Sequence, residues 1–227
     1  MKLLSIDASG KSAACAVTDG HKVICEELTN TGLTHSQTLL PMVEQVLKKA
    51  CIDIEDIDEF AITCGPGSFT GLRIGMALCM GLAGNKPCRA VPTLTALAYN
   101  LCDRDGIIIP AMDARRNQVY TAIFESKNGV ITQLKEDCAI AVDEVLKSIK
   151  EYADKQVWIV GDGAYLFKEK VTELTNVSFP EDEYIYPLGR SIARAAEFTE
   201  PKPARELKLS YLRMSQAERE LKERLKK

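Results

Sequence analysis

The apolar residues of the first half of the chain form short alternating runs and then adopt a helical period. The alternation predicts three strands with turns at 9–11 and 19–20, and the wider spacing from Leu39 to Ala50 predicts a helix. An apolar run at 60–64 predicts a buried strand that leads through a glycine-rich turn into a second helix. In chain order the predicted elements are strands 3–7, 13–17 and 23–28, helix 39–50, strand 60–64, a helix ending near 84, strand 89–91 and helix 93–101.

The second half repeats this order without repeating the sequence. The predicted elements are strands 107–112, 119–124 and 130–134, helix 142–152, strand 157–160, a turn at 161–163 and a further helix. Asp7 and Asp113 end the first strand of each half. The pattern predicts an α/β fold of two related lobes with mixed sheets flanked by helices. We expect a first lobe at 1–103, a second at 104–186, and C-terminal helices within 187–227 that pack back on the first lobe.

Composition narrows the class of protein. Of the 227 residues 46% are apolar, which suffices for a packed core and excludes a disordered or fibrous chain. The eight cysteines form no C-x-x-C pair, which excludes zinc-ribbon and thioredoxin spacings, and most lie in apolar runs as buried residues. Because no stretch resembles a signal peptide or a membrane span, we expect a cytoplasmic protein with no membrane contact.

Histidine is scarce, and this limits the available chemistry. The chain contains only His21 and His35, so a site built on a histidine cluster is disfavoured. His35 stands at the start of the first predicted helix, a position typical of a capping or packing residue. No G-x-S-x-G motif is present, and no cysteine–histidine pair is indicated.

The C-terminal region differs in charge from the rest of the chain, whose formal net charge is −3 as a whole. From Lys202 onward there are nine basic and four acidic residues, after a segment at 199–203 that resembles a linker. The pattern predicts a helix at 215–227. This helix is either a solvated face with Glu–Lys and Glu–Arg pairs or a surface that faces RNA.

The glycine-rich segment at 64–75 is the most informative part of the sequence. Gly65 and Gly67 follow a buried strand, and Ser68 or Thr70 is suited to cap the next helix, so the turn is a candidate anion site. It matches neither the Walker A pattern nor G-x-G-x-x-G. In a duplicated fold Asp7 and Asp113 would face each other across the cleft between the halves, or they serve only as turn formers.

Small residues recur every four positions along the second predicted helix. Gly71, Gly75 and Cys79 form one row, and Ala77 and Gly81 form a neighbouring row. Glycine inside a helix costs about 1 kcal/mol relative to alanine, so close packing must offset it. The sequence leaves two interpretations open, namely packing on the chain's own first helix or a flat face for a partner chain.

Four segments together resemble one protein family. These are Leu-Ser-Ile-Asp-Ala-Ser at 4–9, Gly-Pro-Gly-Ser-Phe-Thr-Gly-Leu-Arg-Ile-Gly at 65–75, Met-Asp-Ala-Arg-Arg-Asn-Gln-Val-Tyr at 112–120 and Tyr-Leu-Arg at 211–213. They resemble the TsaB (YeaZ) family, also called glycoprotease-like. The resemblance implies the duplicated actin-like (ASKHA, ribonuclease H-like) fold. It also implies a role in making threonylcarbamoyladenosine at position 37 of tRNA.

The same resemblance implies a subunit without the catalytic metal site. In the related enzyme TsaD two histidines spaced i, i+4 on a helix hold the metal, and the corresponding residues here are Thr93 and Leu97. Neither side chain replaces imidazole as a ligand. The resemblance therefore implies a scaffold or activator that binds TsaD and TsaE, forms a homodimer when alone, and meets tRNA through the complex. No tightly bound cofactor or metal is expected, and ATP or ADP is expected near the TsaD contact.

These considerations give two sets of candidate residues. The predicted partner-binding face comprises Leu39, Val43, Val46, Gly71, Ile74, Gly75, Ala77 and Leu78. The predicted nucleotide or anion site comprises Asp7, Ser9, Gly65, Gly67 and Ser68. No catalytic residue is assigned.

Two enzyme alternatives remain at this point. One is an ATPase or phosphotransferase of the actin-like superfamily that uses Asp7 as a metal-linked carboxylate. The other is the peptidase implied by the older family name, which the absence of a metal-ligand pair or a nucleophile–base motif disfavours.

Overall fold

The computed structural model describes residues 1–213. The helix predicted at 215–227 lies outside the described residues. The chain forms two mixed sheets with helices packed around them. The bounds of the strands are β1 Lys2–Asp7, β2 Ala13–Asp19, β3 Lys22–Thr29, β4 Glu59–Gly65, β5 Pro87–Pro92, β6 Gly106–Asp113, β7 Gln118–Lys127, β8 Val130–Ala141, β9 Val157–Val160, β10 Val177–Ser178 and β11 Lys202–Pro203.

Five α-helices and five short 3-10 turns complete the fold within residues 1–213. The helices are α1 His35–Ala50, α2 Phe69–Ala83, α3 Thr93–Tyr99, α4 Val142–Ile149 and α5 Gly189–Ala196. The 3-10 turns span Ile54–Asp56, Lys150–Tyr152, Ala164–Leu166, Asp182–Tyr184 and Ala204–Glu206.

Five strands of each sheet share one topology, and the first sheet has a sixth strand, β11, antiparallel at its edge. In the first sheet the order is β11-β5-β4-β1-β2-β3, with β1, β2 and β3 antiparallel and with β4 and β5 parallel to β1. In the second the order is β10-β9-β6-β7-β8, with the same antiparallel meander and parallel extension. We call the parts built on these sheets the first and second lobes. The predicted duplicated α/β fold is confirmed.

Apolar residues of each lobe form their own core. In the first lobe, buried side chains of β1, β2 and β4 pack against α1 and α2, with Phe60 and Ile62 among the fully buried residues. A second layer on the opposite face joins α3 and α5 to β1 and β5. In the second lobe α4 and the segment after β9 cover one face of the sheet, and α3 packs on the other. Helix α3 therefore lies between the two sheets.

Two sequence-based predictions in the second half are wrong in detail. The helix expected after Gly163 is a single 3-10 turn at Ala164–Leu166, because the chain next turns back toward the short strand β10. The segment at 199–203 is not a linker, since Lys202 and Pro203 pair with Cys88 and Pro87 at the edge of the first sheet. Before that pairing, α5 packs across β1, and Ser5 Oγ donates to Gly189 O at 2.7 Å.

The glycines of α2 separate into two groups. A Cβ on Gly71 would lie 2.1 Å from Ala8 O, and one on Gly75 would lie 3.1 Å from the Ala8 Cβ and 3.2 Å from the end of the Ile62 side chain. A Cβ on Gly81 would meet nothing within 4 Å. Packing within the chain thus accounts for Gly71 and Gly75, and it leaves Gly81 without an internal reason.

This difference predicts opposite effects of one substitution at two positions of the same helix. Gly81→Ala is expected to stabilise the chain by up to about 1 kcal/mol, because alanine is the better helix former and no atom opposes it. Gly71→Ala is expected to destabilise it by roughly 1–3 kcal/mol, because the helix must move away from Ala8. Urea unfolding followed by circular dichroism measures both, and equal effects of the two changes would contradict the packing described.

Candidate functional site

A cleft of about 620 Å³ lies where the two lobes meet. Its walls are turns that follow corresponding strands of the two repeats. The first lobe contributes the β1–β2 turn and the start of α2, and the second contributes the β6–β7 turn and the residue after Gly161. The lining residues are Ser9, Gly10, Lys11, Gly67, Ser68, Phe69, Thr70, Met112, Asp113, Ala114, Arg115, Tyr120, Asp162 and Arg213.

The same local turn closes the first strand of each repeat. Ser9 N donates to Asp7 Oδ1 at 3.1 Å, and Arg115 N donates to Asp113 Oδ1 at 2.7 Å. In both cases an aspartate at the strand end accepts from the amide two residues later, as Asx turns do. Turn formation therefore explains why an aspartate stands at each of the two positions, and no ligand is needed to account for either.

The two aspartates differ sharply in their surroundings. Asp7 is completely buried, Thr63 Oγ1 donates to its Oδ1 at 2.5 Å, and its Oδ2 has no partner among the described residues. Burial raises the pKa of Asp7, which hydrogen bonds from Thr63 and Ser9 only partly offset. Asp113 instead lines the cleft, and Tyr165 Oη donates to its Oδ2 at 3.2 Å. The expectation that both carboxylates face each other across the cleft is therefore wrong for Asp7, which lies beneath its floor.

The glycine-rich loop is explained by close backbone crossings. A Cβ on Gly65 would lie 2.2 Å from Ser210 O, and one on Gly67 would lie 2.4 Å from Ser9 O. Ser68 N donates to Ser9 O at 2.7 Å, and Ser68 Oγ caps α2 by accepting from Gly71 N at 3.2 Å. Of the predicted anion set, Ser9, Gly67 and Ser68 line the cleft, whereas Asp7 and Gly65 support it from beneath.

Residues 210–213, which we call the C-terminal strap, connect the two lobes over this loop. Ser210 N donates to Cys64 O at 2.7 Å, and the ring of Tyr211 stacks on Phe69 with centroids 4.3 Å apart. On the other side Arg213 Nη1 donates to Ala114 O at 2.8 Å, and its Nη2 bonds to Gln118. Sequence reasoning noted Tyr211 and Arg213 only as part of a family motif, because their contacts lie far away along the chain.

The cleft contains cationic donors for a phosphate group and two carboxylates, Asp113 and Asp162. Lys11, Arg115 and Arg213 are among its lining residues. Burial, and then the neighbouring Asp113, raise the pKa of Asp162, and Asp7 is sealed below. Within residues 1–213 no three His, Cys, Asp or Glu side chains converge on a point that would hold a metal. The two lining carboxylates, Asp113 and Asp162, already accept hydrogen bonds from within the chain.

The predicted partner-binding residues divide into a core set and a surface set. Five of the eight lie in the chain's own core, which corrects the prediction that they form a surface: Leu39, Val43, Val46, Gly71 and Gly75. They are buried because α1 and α2 must cover the first sheet. Ala77 is exposed, and Ile74 and Leu78 are half-buried beside it.

The outward side of α2 forms one continuous stripe. Its exposed residues follow a helical period: Thr70, Arg73, Ala77, Met80 and Gly81. Only Arg73 in this helix carries a charge, although the outer face of a surface helix is ordinarily polar. We call this stripe, with the half-buried Ile74 and Leu78, the α2 face. On neighbouring α1, Leu40 is 42% exposed.

Thr93 and Leu97, which the resemblance set against the TsaD histidines, lie in the interior. Thr93 and Leu97 are buried at the start and middle of α3, between the two sheets. His35 is fixed elsewhere, since its Nε2 donates to Gly10 O at 3.0 Å, and His21 pairs with Glu197 at the surface. None of the histidines therefore approaches the buried face of α3.

Comparison with known proteins assigns the family. A family model described as "TsaD: tRNA N6-adenosine threonylcarbamoyltransferase" matches residues 29–223. The tRNA threonylcarbamoyladenosine biosynthesis protein TsaB of Bacillus subtilis (strain 168) is 34% identical over 176 residues, which cover 77% of this chain and 76% of that protein. The chain belongs to the TsaB family.

Two further comparisons agree with this TsaB assignment. The protein of the same name from Haemophilus influenzae is 29% identical over 204 residues, covering 84% of this chain and 85% of that one. A crystal structure described as an uncharacterized protein with similarity to peptidase YEAZ from Pseudomonas aeruginosa superposes with a TM-score of 0.81. It is 24% identical and covers 93% of this chain and 99% of its own. At that identity the structure supports the fold alone.

No helix within residues 1–213 of this TsaB family member is long and apolar enough to cross a membrane. The eight cysteines are all free thiols. Five of them are buried, as the sequence predicted for most, and Cys51 is exposed at the C-terminal cap of α1.

Burial of Asp7 predicts a specific pH dependence. Because its pKa is raised in the fold, Asp7 is protonated in both states below the unfolded value of about 4. As pH rises above that value the unfolded chain ionises first, so stability falls by up to about 1.4 kcal/mol per pH unit until the folded pKa is passed. Asp7→Asn is expected to match the unmodified chain at acid pH and to be more stable at neutral pH.

Urea unfolding at a series of pH values tests this expectation. Asp113→Asn, at the equivalent position in the open cleft, is the comparison for a carboxylate that solvent reaches. A stability difference between Asp7→Asn and the unmodified chain that stays constant with pH would contradict the burial of an uncompensated carboxyl.

Proposed function

We propose that this chain is a non-catalytic subunit that binds TsaD and positions it for threonylcarbamoyl transfer to adenosine 37 of tRNA. Its relatives are named as tRNA threonylcarbamoyladenosine biosynthesis proteins, which supports a role in that pathway. The observation that carries the proposal is the α2 face, an uncharged, small-residue surface on a helix that the fold holds rigidly.

The composition of the α2 face suits a closely packed helix pair. Ala77 and Gly81 present almost no side chain, so the backbone of a partner helix can approach, while Met80 and Leu40 at the edges provide apolar contact. A glycine at position 81 gives the isolated chain no advantage, since a Cβ there would meet no atom. Close packing of a partner helix against Gly81 would offset the loss of helix stability that glycine causes.

The non-catalytic role is supported by what the cleft and α3 contain. The residues that the resemblance set against the TsaD metal ligands are a threonine and a leucine that the two sheets enclose. The carboxylate that the ATPase alternative assigns to metal binding is Asp7, which is buried and bonded to Thr63. No arrangement of nucleophile and base among the described residues supports the peptidase alternative. The cleft and α3 therefore support a structural or binding role more than a catalytic one.

The same surface suits a dimer of this chain when TsaD is absent. A two-fold axis would place α2 of one copy against α2 of the other, with one patch used twice. TsaE binding, and ATP or ADP near the TsaD contact, stay predictions.

Ala77→Arg is expected to weaken TsaD binding while leaving the fold intact. The new side chain extends from an exposed position on α2 and places a bulky charge in the contact, which should weaken TsaD binding by at least about tenfold, or 1.4 kcal/mol. Ala153→Arg is the matched control, because Ala153 is also exposed but lies in the second lobe. Calorimetric titration with TsaD of the same organism measures both, and equal affinity for the two variants would refute the assignment of the α2 face.

The role in tRNA modification has a direct test. Threonylcarbamoyl transfer to tRNA is reconstituted with TsaD, with or without this chain, and the modified nucleoside is quantified by mass spectrometry. Modification is expected to require the chain, to be restored by Ala153→Arg and not by Ala77→Arg. Undiminished modification without the chain, or full activity of the chain alone, would overturn the proposal.

A further inference from the structure

Cationic side chains follow the mouth of the cleft and cross from one lobe to the other. Lys11 lies on the β1–β2 turn, Arg115 and Arg116 lie at the tip of the β6–β7 turn, and Arg213 reaches over from the C-terminal strap. None of the four pairs with a carboxylate within residues 1–213. What distinguishes these four is that they lie together around one cleft.

The two carboxylates of the cleft already accept hydrogen bonds from neighbouring residues of the chain. Asp113 accepts from Arg115 N and Tyr165 Oη, and Asp162 Oδ1 accepts from Asp113 N at 3.0 Å. Burial and the adjacent Asp113 carboxylate also favour the neutral form of Asp162 by raising its pKa. Lys11, Arg115 and Arg116 are therefore exposed and free of ion pairs among the described residues, whereas the half-buried Arg213 also bonds to Ala114 O and Gln118.

The tip of the β6–β7 turn holds its arginines at a conformational cost. Arg115, Arg116 and Asn117 have φ values of +62°, +56° and +54°, three successive residues in the left-handed region. Asparagine tolerates this region and arginine does not favour it. Hydrogen bonds from Gln118 N to Arg115 O and from Val142 N to Asn117 O hold the turn in place. Turn formation accounts for Asn117 but gives no reason for two arginines beside it.

Aromatic rings alternate with arginines along the same edge. Arg73 lies 5.9 Å from the centroid of Phe69 and 5.8 Å from that of Tyr211, and Arg213 lies 5.4 Å from that of Tyr120. Tyr211 remains 39% exposed beyond its stack on Phe69. Cations for phosphates, next to ring faces for bases, are the components of single-stranded nucleic-acid sites.

From this combination we infer that the cleft mouth binds the phosphodiester backbone of single-stranded RNA through Lys11, Arg115, Arg116 and Arg213. A free nucleotide is the other source of phosphate, but the cations span both lobes. The choice of RNA rests on the proposed role in tRNA modification. The cleft mouth adjoins the α2 face at Thr70 and Arg73, but none of the four cations belongs to that face, so substitutions can test the two contacts separately.

The test uses the full chain and a fluorescein-labelled single-stranded RNA of about a dozen nucleotides, within the size that one such site covers. The variant Arg115→Gln/Arg116→Gln removes two cations and keeps unbranched side chains in the turn. Lys127→Gln/Lys147→Gln is the matched control, because it removes two exposed cations of the same lobe that form no ion pair, one of them at the far end of β7. Fluorescence anisotropy is recorded over a range of salt concentrations, and thermal melting confirms that each variant is folded.

The unmodified chain and the control are expected to bind with equal affinity. The arginine variant is expected to bind roughly tenfold more weakly at low salt, and its log–log salt slope should fall by about 0.7 for each lost phosphate contact. Equal weakening by both variants would show a general charge effect, and no binding by the unmodified chain would equally overturn the inference.

Two further arms separate the sources of phosphate and the two proposals. Displacement of the RNA by ATP but not by tripolyphosphate at equal concentration would assign the mouth to a nucleotide and overturn the inference. TsaD titration of the arginine variant should give the affinity of the unmodified chain. Loss of RNA binding with intact TsaD binding supports the inference, whereas RNA binding that survives in the arginine variant refutes it whatever the fate of the TsaD complex.

Discussion

The close crossing of the glycine-rich loop over the β1–β2 turn determines where α2 begins. The position of the α2 face and of the first-lobe wall of the cleft depends on this crossing. Ser68 N donates to Ser9 O at 2.7 Å, and Gly67 and Gly71 leave no room for a Cβ against Ser9 and Ala8. Three backbone approaches within one helical turn hold α2 rigidly against the first strand. Its outer stripe and the first wall of the cleft are therefore presented in one fixed orientation.

The second repeat contains the same kind of backbone crossing, but a different structure follows it. Gly163 N donates to Ala111 O at 2.8 Å, and Gly161 also approaches Ala111 too closely for a side chain. The chain then forms only a 3-10 turn, so the second lobe presents no counterpart of the α2 face. One turn geometry thus supports a helix surface in the first lobe and an acidic cleft floor, with Asp113 and Asp162, in the second.

Much of this could be read from the sequence because it depends on local rules. Hydrophobic periodicity located the strands and helices of both halves, and the spacing of Gly65, Gly67 and Ser68 indicated a strand, a tight turn and a capped helix. The periodicity did not show which side of a helix faces the sheet when both sides are apolar. In α2, where only Arg73 is charged, it therefore placed Gly71 and Gly75 on the same surface as Ala77.

The sequence by itself determined the duplicated α/β pattern, the family motifs and the scarcity of histidine. Only the tertiary structure decided that Asp7 is buried beneath the cleft while Asp113 lines it, since identical turns differ in what packs above them. It also brought Tyr211 and Arg213 across the glycine loop to both lobes. Such contacts join residues about a hundred or more positions apart, and no local pattern encodes them, because they depend on the summed packing of every element between.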